Sequence, residues 1–234
     1  VRLIKPSFEI LSEFDGVQLL KNIERYGRTC YKSEEAITDD SAPKFVKMLI
    51  DRGHESVLEH EKITVKFIID RGVSHELVRH RIASYSQEST RYCNYANGQI
   101  TFIVPPWVKI EPGEYTSSNT AGLSDEIVKV EEKLLRKVTI EDRNDQLWFM
   151  AMCIAEKSYR GLIQQGWKPE QARSVLPNSL KTEIVTTFNL REWQHFFKLR
   201  TLAQAHPQMR EVSIPLLKRF QQEIPVMFDD IVVS

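Results

Sequence analysis

The clearest pattern in the chain is KITVKFII at residues 62–69, where Ile63, Val65, Phe67 and Ile69 recur at every second position. That period puts four apolar side chains on one face of a strand, against a core. Residues 2–12 also read as extended, and Asp15-Gly16 then leads into a helix through Val17, Leu19, Leu20 and Ile23. A second helix is predicted after Asp40-Ser41. Arg71-Gly72 breaks the strand, and Ser74 is placed to cap a helix with Glu76 in its early turn and Leu77, Val78, Arg79, His80 and Arg81 in later turns. Residues 84–97 are polar without a clear period and read as a functional loop, which leads to a short strand at 100–104.

The turn formers of 111–123 predict an exposed, mobile connection. Residues 125–165 are helical in pattern, with Leu147, Met150, Ala151, Ile154 and Leu162 at helical spacing and a break near Thr139 to Asn144 that makes two helices. A short helix at 169–175, a strand at 182–188 and helices at 190–203 and 211–223 complete the chain, with no internal repeat. The mixture predicts an α/β (α+β) fold, and the length suits a single domain over 1–234.

Composition narrows the function classes. With 41% hydrophobic and 27% charged residues the chain is that of a folded globular protein. Its 32 basic and 32 acidic residues cancel, so no general field draws in nucleic acid or a membrane, and affinity for phosphate must come from a local cluster. No apolar run approaches the roughly 20 residues of a bilayer span, and VRLIKPSFEI lacks the pattern of a secretory signal, so a cytoplasmic protein is expected. Cys30, Cys93 and Cys153 are odd in number and far apart, which suits small buried thiols better than disulfides or zinc.

Such a local cluster exists. Residues 79–92, RHRIASYSQESTRY, hold three arginines, a histidine and several hydroxyls, enough charge-assisted donors to surround a phosphate and a heterocycle. A solvated basic face is the bland alternative. A nucleic-acid module stacking bases on Tyr85, Tyr92 and Tyr95 is another, weakened by the balanced charge. A metal hydrolase built on His54, His60 and His80 is disfavoured, because His54 and His60 are six residues apart and do not share a helix face as HExxH histidines do. No metal is expected, and His60 reads as a hydrogen-bonded core or interface histidine.

The order of these residues is specific. RHR followed by seven residues and Ser, at Arg79 to Ser89, resembles the signature of the flavin-dependent thymidylate synthases, and the likeness continues through Arg91-Tyr92. His54-Glu55-Ser56 with Glu59-His60 resembles the family's upstream element. Ala172-Arg173 before Val175-Leu176-Pro177, then Asn189-Leu190-Arg191, Leu199-Arg200 and His206, follow in the family's order. The resemblance implies a mixed sheet with packed helices, assembled as a homotetramer whose active sites are shared between subunits. It implies bound FAD, NADPH as reductant, and 5,10-methylenetetrahydrofolate as one-carbon donor for the methylation of dUMP, with tetrahydrofolate released unoxidised.

By the same resemblance Ser56, Arg79, His80, Arg81, Gln87, Asn189, Leu190, Arg191 and His195 fall at flavin positions. Glu76, Leu77, Val78, Arg79, Gln87, Glu88, Ser89, Thr90, Arg91, Arg173 and Arg200 fall at dUMP positions, with Arg91 toward the phosphate. Arg200 is the candidate catalytic residue, since a fixed guanidinium stabilises the charge that develops over N3 and the adjacent carbonyl as uracil C5 becomes a nucleophile. Ser89 reads as a ligand, because no base is paired with it in the sequence. None of the cysteines follows proline, which sets aside the unrelated synthases that attack through a Pro-Cys cysteine. Three positions depart from the family pattern. Cys30 stands where serine is common, Glu76 stands where glutamine is common, and His75 stands in place of a basic residue that stays charged. A carboxylate accepts but does not donate, so orienting Arg79 or His80 at helical spacing is the other role open to Glu76.

Overall fold

The computed structural model describes residues 1–115 and 142–233. Two strands, β1 (Arg2–Ile4) and β2 (Ser7–Ile10), open the chain. The Asp15 carboxylate then accepts from the Gln18 amide at 3.0 Å and starts α1 (Gly16–Tyr31), which buries Leu19, Leu20, Ile23 and Gly27. The helix packs against α2 (Ala42–Asp51). Their approach is close: a Cβ on Gly27 would lie 2.7 Å from Phe45 Cε1 and 3.0 Å from Leu49 Cδ1.

Strand β3 (Lys62–Asp70) buries Ile63, Val65, Phe67 and Ile69 as the alternation predicts. It runs straight into α3 (Arg71–Leu77), so Arg71-Gly72 form the first turn of a helix where a break was expected. The Arg71 N–H lies 2.9 Å from the Asn178 carbonyl and 3.1 Å from that of Leu180, which satisfies a donor that a helix start otherwise leaves open. Ser74 is therefore no cap. It is buried inside the helix, and its Oγ accepts from Gln87 Nε2 at 2.9 Å. The helix ends at Leu77, before the arginines, and β4 (Ala83–Gln87) occupies the start of the expected polar loop. Tyr85 and Gln87 are half-buried while Ser84 and Ser86 are exposed, a period of two carried by polar side chains that an apolar pattern does not register.

The chain continues through β5 (Thr101–Ile103), β6 (Gly113–Glu114), α4 (Arg143–Gln164) and α5 (Pro169–Ala172), which passes into a 3-10 turn at Arg173–Val175. Then come β7 (Lys181–Asn189), α6 (Leu190–Arg200), α7 (Pro207–Glu223) and α8 (Pro225–Phe228). The helix expected from 211 begins at Pro207, whose fixed φ and missing N–H suit a first turn. Most of the 111–123 connection and the helix expected from 125 to the break lie outside the described residues. In α4 the core face is Phe149, Met152, Ala155 and Tyr159, whereas Leu147 and Ile154, at the spacing first picked out, are 48% and 41% exposed. The helix is apolar on two faces, and periodicity alone does not say which meets the core.

Contacts divide the chain into two compact units. The first, Val1–Pro6, Ile69–Gly72 and Glu88–Thr182, holds the sheet β5-β1-β6, with β1 parallel to β5 and antiparallel to β6. Leu3, Ile100, Phe102, Phe149, Met152 and Tyr159 are central to its core. The second, Ser7–Ile68, Val73–Gln87 and Glu183–Ser234, holds the sheet β2-β3-β7-β4, where Phe8 faces Phe67 and Tyr85 faces Thr186 in antiparallel register. Seven aromatic residues, Phe67, Phe188, Trp193, Phe196, Phe197, Phe220 and Phe228, are almost inaccessible there. Trp193 anchors them by donating from Nε1 to the Ile63 carbonyl at 3.2 Å.

The mixed α/β class is as expected; the cysteines are not. Cys30 is exposed in the last turn of α1, and Cys93 and Cys153 are only half-buried, although burial pushes the Cys153 thiol up to about 11. His60 is exposed against the Tyr26 ring, 5.2 Å between centroids, and not in a core.

Two glycines give substitutions of opposite sign. Gly27→Val forces Phe45 and Leu49 apart and is expected to lower stability by about 1–3 kcal/mol. Gly161→Ala meets no described atom within 4 Å and removes a flexible residue from a helix interior, for a gain of about 0.5–1 kcal/mol. Urea midpoints of both variants against the parent protein check the pair.

Candidate active site

Strand β7 delivers the chain into α6, and Asn189 caps that helix by accepting from the Glu192 N–H at 2.8 Å. Leu190 is buried and donates its N–H to the Glu61 carbonyl at 3.0 Å. The first turn places the buried Glu192 carboxylate 2.8 Å from His80 Nδ1. The last turn places Arg200 Nε 3.1 Å from His80 Nε2. The guanidinium then meets Glu76 twice, Nη1 on Oε2 at 3.2 Å and Nη2 on the backbone carbonyl at 3.2 Å.

This arrangement assigns the tautomer of His80. An arginine N–H only donates, so His80 Nε2 must offer a lone pair. The proton then sits on Nδ1 and goes to Glu192. The ring is neutral, in keeping with burial, which pushes its pKa below the ordinary 6.5 against the opposing pull of Glu192; the Arg200 charge adds to the depression. Tyr85 fixes the turn that carries this ring. Its hydroxyl lies 2.8 Å from the Leu77 carbonyl and 2.7 Å from that of His80, and burial pushes its pKa up.

Around this chain of bonds the expected flavin residues of the second unit take distinct places. Arg79 and Arg81 are exposed, with no ion-pair partner among the described residues. Val78 is 39% exposed and Leu77 buried. His195 is exposed, its ring centroid 5.6 Å from that of His80. Gln87 is tied to Ser74. Arg191 is paired with Glu55 at 3.1 Å and Glu59 at 2.6 Å, in the same 3-10 turn that carries the exposed Ser56. His80 is buried with both nitrogens committed inside the protein, and Asn189 spends its side-chain oxygen as a cap.

The remaining expected dUMP residues lie in the first unit. Arg173 Nη1 donates to the buried Thr90 hydroxyl at 3.2 Å, and the neighbouring Arg91 is exposed over the Tyr92 ring, 5.5 Å to its centroid. Ser89 Oγ accepts from the Arg91 N–H at 3.3 Å. Glu88 is a support: its carboxylate takes Lys181 at 3.0 Å and the Tyr95 hydroxyl at 2.8 Å, while its carbonyl lies 3.4 Å from Arg71 Nη1. Of the three tyrosines considered as stacking surfaces, Tyr85 and Tyr95 turn their hydroxyls inward, and Tyr92 alone is largely exposed.

Residues 17–226 match the family described as thymidylate synthase complementing protein. The flavin-dependent thymidylate synthase of Geobacter sulfurreducens is 32% identical over 210 residues, covering 87% of this chain and 78% of that protein. That of Pyrococcus furiosus is 33% identical over 201 residues, covering 84% and 69%. The chain belongs to the flavin-dependent thymidylate synthase family. Two solved structures share the fold. Thymidylate synthase X of Helicobacter pylori, crystallised with FAD and dUMP, gives a TM-score of 0.70 at 22% identity over 98% of this chain and all of that one. A UMP/dUMP methylase of Streptomyces cacaoi, bound with 5-bromo-dUMP, gives 0.68 at 23% identity over 98% and 96%.

In this member of the flavin-dependent thymidylate synthase family the Glu76 carboxylate orients neither Arg79 nor His80; only its backbone carbonyl takes the Arg79 N–H, at 3.2 Å. Its side-chain partner is Arg200, because α3 ends at Leu77 and regular helical spacing does not carry on to residues 79 and 80. Glu192, Arg71 and Lys181 were not singled out from sequence. Asn-x-x-Glu at 189–192 reads as a helix start, and nothing in a linear chain ties Glu192 to a histidine 112 positions away. His80, Glu192 and His195 bring ligand-type atoms within 4.8 Å of one another. A cation there would have to displace Arg200 from His80 Nε2 beside a fixed positive charge, so the group reads as a hydrogen-bond network.

The lowered His80 pKa sets a sign. The unfolded ring binds a proton more readily than the folded one, so this residue's contribution to stability is complete above about pH 6.5 and falls as pH drops from there toward the folded value. The charged or titratable groups facing the ring, Glu192, His195 and Arg200, all lie on α6, with Phe188 and Phe196 covering it. Urea midpoints at pH 7.5 and 5.5 are expected to fall further for the parent protein than for His80→Gln, which has no ring to protonate. Equal falls would mean that folding does not lower the His80 pKa.

Proposed function

We propose that this chain is a flavin-dependent thymidylate synthase that converts dUMP to dTMP by reductive methylation, with 5,10-methylenetetrahydrofolate as one-carbon donor and NADPH-reduced FAD as hydride donor. The observation that carries this reading is Arg200, held on three of its N–H groups by Glu76 and His80 in a chain of this family. Relatives crystallised with FAD and dUMP, or with a halogenated dUMP, support the ligand classes. The match over residues 17–226, which takes in most of both compact units, supports treating 1–234 as one functional domain.

The residues present suit FAD. Arg79 and Arg81 are exposed cations without carboxylate partners among the described residues, the chemistry a pyrophosphate requires, with Ser56, Gln87 and His195 as further polar contacts. FAD supplies the hydride that completes the methyl group. Arg200 has five N–H groups, and the two not bound to Glu76 or His80 remain for the pyrimidine. They stabilise charge developing over N3 and its carbonyl while C5 attacks the one-carbon unit, and being fixed beforehand they need no reorganisation at that moment. Arg91 and Arg173, also without carboxylate partners among the described residues, suit the dUMP phosphate, with the hydroxyls of Ser89 and Thr90 beside them. Ser89 serves as a ligand, since no base stands at hydrogen-bond distance from it among the described residues.

Assembly as a homotetramer accounts for the exposed apolar side chains Val78, Ile82, Leu199 and Leu202, 36–66% accessible on the segments that carry Arg79 to Arg81 and Arg200. A second subunit over that surface would bury them and share the site. A cytoplasmic setting goes with the three free thiols. No described helix is long and apolar enough to cross a membrane, and the balanced charge gives no field for nucleic acid.

Arg200→Ala is the direct test. Loss of a preorganised donor is expected to remove about 3 kcal/mol of transition-state stabilisation, a hundredfold or more in single-turnover dTMP formation at saturating dUMP. FAD uptake should persist, and Arg200→Lys should rescue only in part, because an ammonium does not reproduce a planar fork. Near-normal turnover in Arg200→Ala would remove the residue from the mechanism. Ser89→Ala should weaken dUMP binding while leaving measurable turnover; a covalent Ser89–pyrimidine adduct in mass spectra would reverse that assignment.

A further inference from the structure

Glu76 does more than hold Arg200 still. Its Oε2 and backbone carbonyl take one N–H from each terminal nitrogen of the guanidinium, while Oε1 has no hydrogen-bond partner among the described residues. The pair is open on one side, with Glu76 34% and Arg200 20% exposed. A bare acceptor oxygen therefore stands next to two unspent donors on one rigid, charge-paired unit.

We propose that Glu76 is a specificity-determining residue, its free carboxylate oxygen and the two free N–H groups of Arg200 forming one edge that accepts uracil and turns away cytosine. This rests on the reading that Arg200 faces dUMP. Uracil presents a ring N3–H flanked by carbonyl oxygens, a donor beside acceptors, which complements an acceptor beside donors. Cytosine presents the reverse, an N3 lone pair beside a C4 amino group. The lone pair would face a carboxylate that cannot donate, and the amino group a guanidinium that cannot accept. Both mismatches would leave polar groups unpaired where water is partly excluded. Glutamine, common at this position in the resembling family, can turn its amide to offer either an oxygen or an NH2 group. A carboxylate has no such choice, so glutamate commits the site where glutamine leaves it adaptable.

The test is equilibrium binding of dUMP, dCMP and N3-methyl-dUMP to the FAD-loaded protein, followed by calorimetry. The parent protein is expected to prefer dUMP over dCMP by about a hundredfold or more, as sites that hydrogen-bond a specific edge do. Glu76→Gln should narrow that ratio by about tenfold or more, chiefly through tighter dCMP binding. Glu76→Asp, which keeps an acceptor-only group, should keep the preference with weaker binding of both. N3-methyl-dUMP needs no variant and should bind the parent protein at least about tenfold more weakly than dUMP, having lost the N3–H. An unchanged ratio in Glu76→Gln, or N3-methyl-dUMP bound as tightly as dUMP, overturns the inference even if the protein methylates dUMP. A folded, FAD-loaded protein that binds no dUMP overturns the functional reading and this inference with it.

Discussion

A neutral imidazole, buried between a carboxylate and a guanidinium, holds the Arg200 side chain in place. His80 can accept from Arg200 only if its proton stays on the side of Glu192, and the buried Glu192 carboxyl group finds its partner in that N–H. Each bond fixes the direction of the next. Such a chain is stabilising when every member is satisfied and costly when one is missing, since removing the ring would leave a buried carboxylate and a partly buried guanidinium without their partner. Arg200, at the end of α6 and only 20% exposed, thus owes its position to a residue 120 places earlier in sequence.

The rest of the second unit keeps the two ends of that chain in register. Asn189 starts α6 at a defined residue, and Phe196, Phe197 and Trp193 lock the helix into an aromatic core, so its last turn brings Arg200 to His80. On the other side, Tyr85 binds the carbonyls of Leu77 and His80, pinning a turn too short to be held by a helix or a strand of its own. That Ser74 lies buried under Gln87 gives the same turn a second tie, from α3 to β4. Packing sets the distances, and hydrogen bonds set the directions.

Much of this was legible in the sequence, and the parts that were not share a cause. Strand β3, α1 and α2 follow from apolar period, and the RHR segment falls on the turn that carries the buried His80. What failed were readings that depend on the far partner. Ser74 looks like a cap until Arg71 is seen bonded to Asn178 and Leu180; β4 looks like a loop until its polar side chains are seen half-buried beside β7. The face of α4 was misjudged because two apolar stripes compete and only the neighbouring strands choose between them. Glu192, the residue that makes His80 useful, carries no local mark beyond that of a helix start.

The arginines show how a chain with no net charge still leaves some of its described cations without carboxylate partners. By charge alone Arg79, Arg81, Arg91, Arg173, Arg191 and Arg200 are alike. In the structure they sort by partner: Arg200 and Arg191 have carboxylates, whereas Arg79, Arg81, Arg91 and Arg173 have no ion pair among the described residues. With 32 acidic residues available, leaving four exposed guanidiniums without one is a choice the fold makes by placement. The two paired arginines also differ. Arg191 is half exposed, and an exposed pair contributes little, so a ligand anion could replace Glu55 or Glu59 at small cost. Arg200 is held at three nitrogens by partly or fully buried groups, so the direction of its guanidinium is fixed. Mobile cations capture a phosphate wherever it arrives, but polarising one edge of a ring requires a donor whose direction is already fixed. The same residue type is thus suited to either purpose, according to how many of its five N–H groups the protein has already claimed.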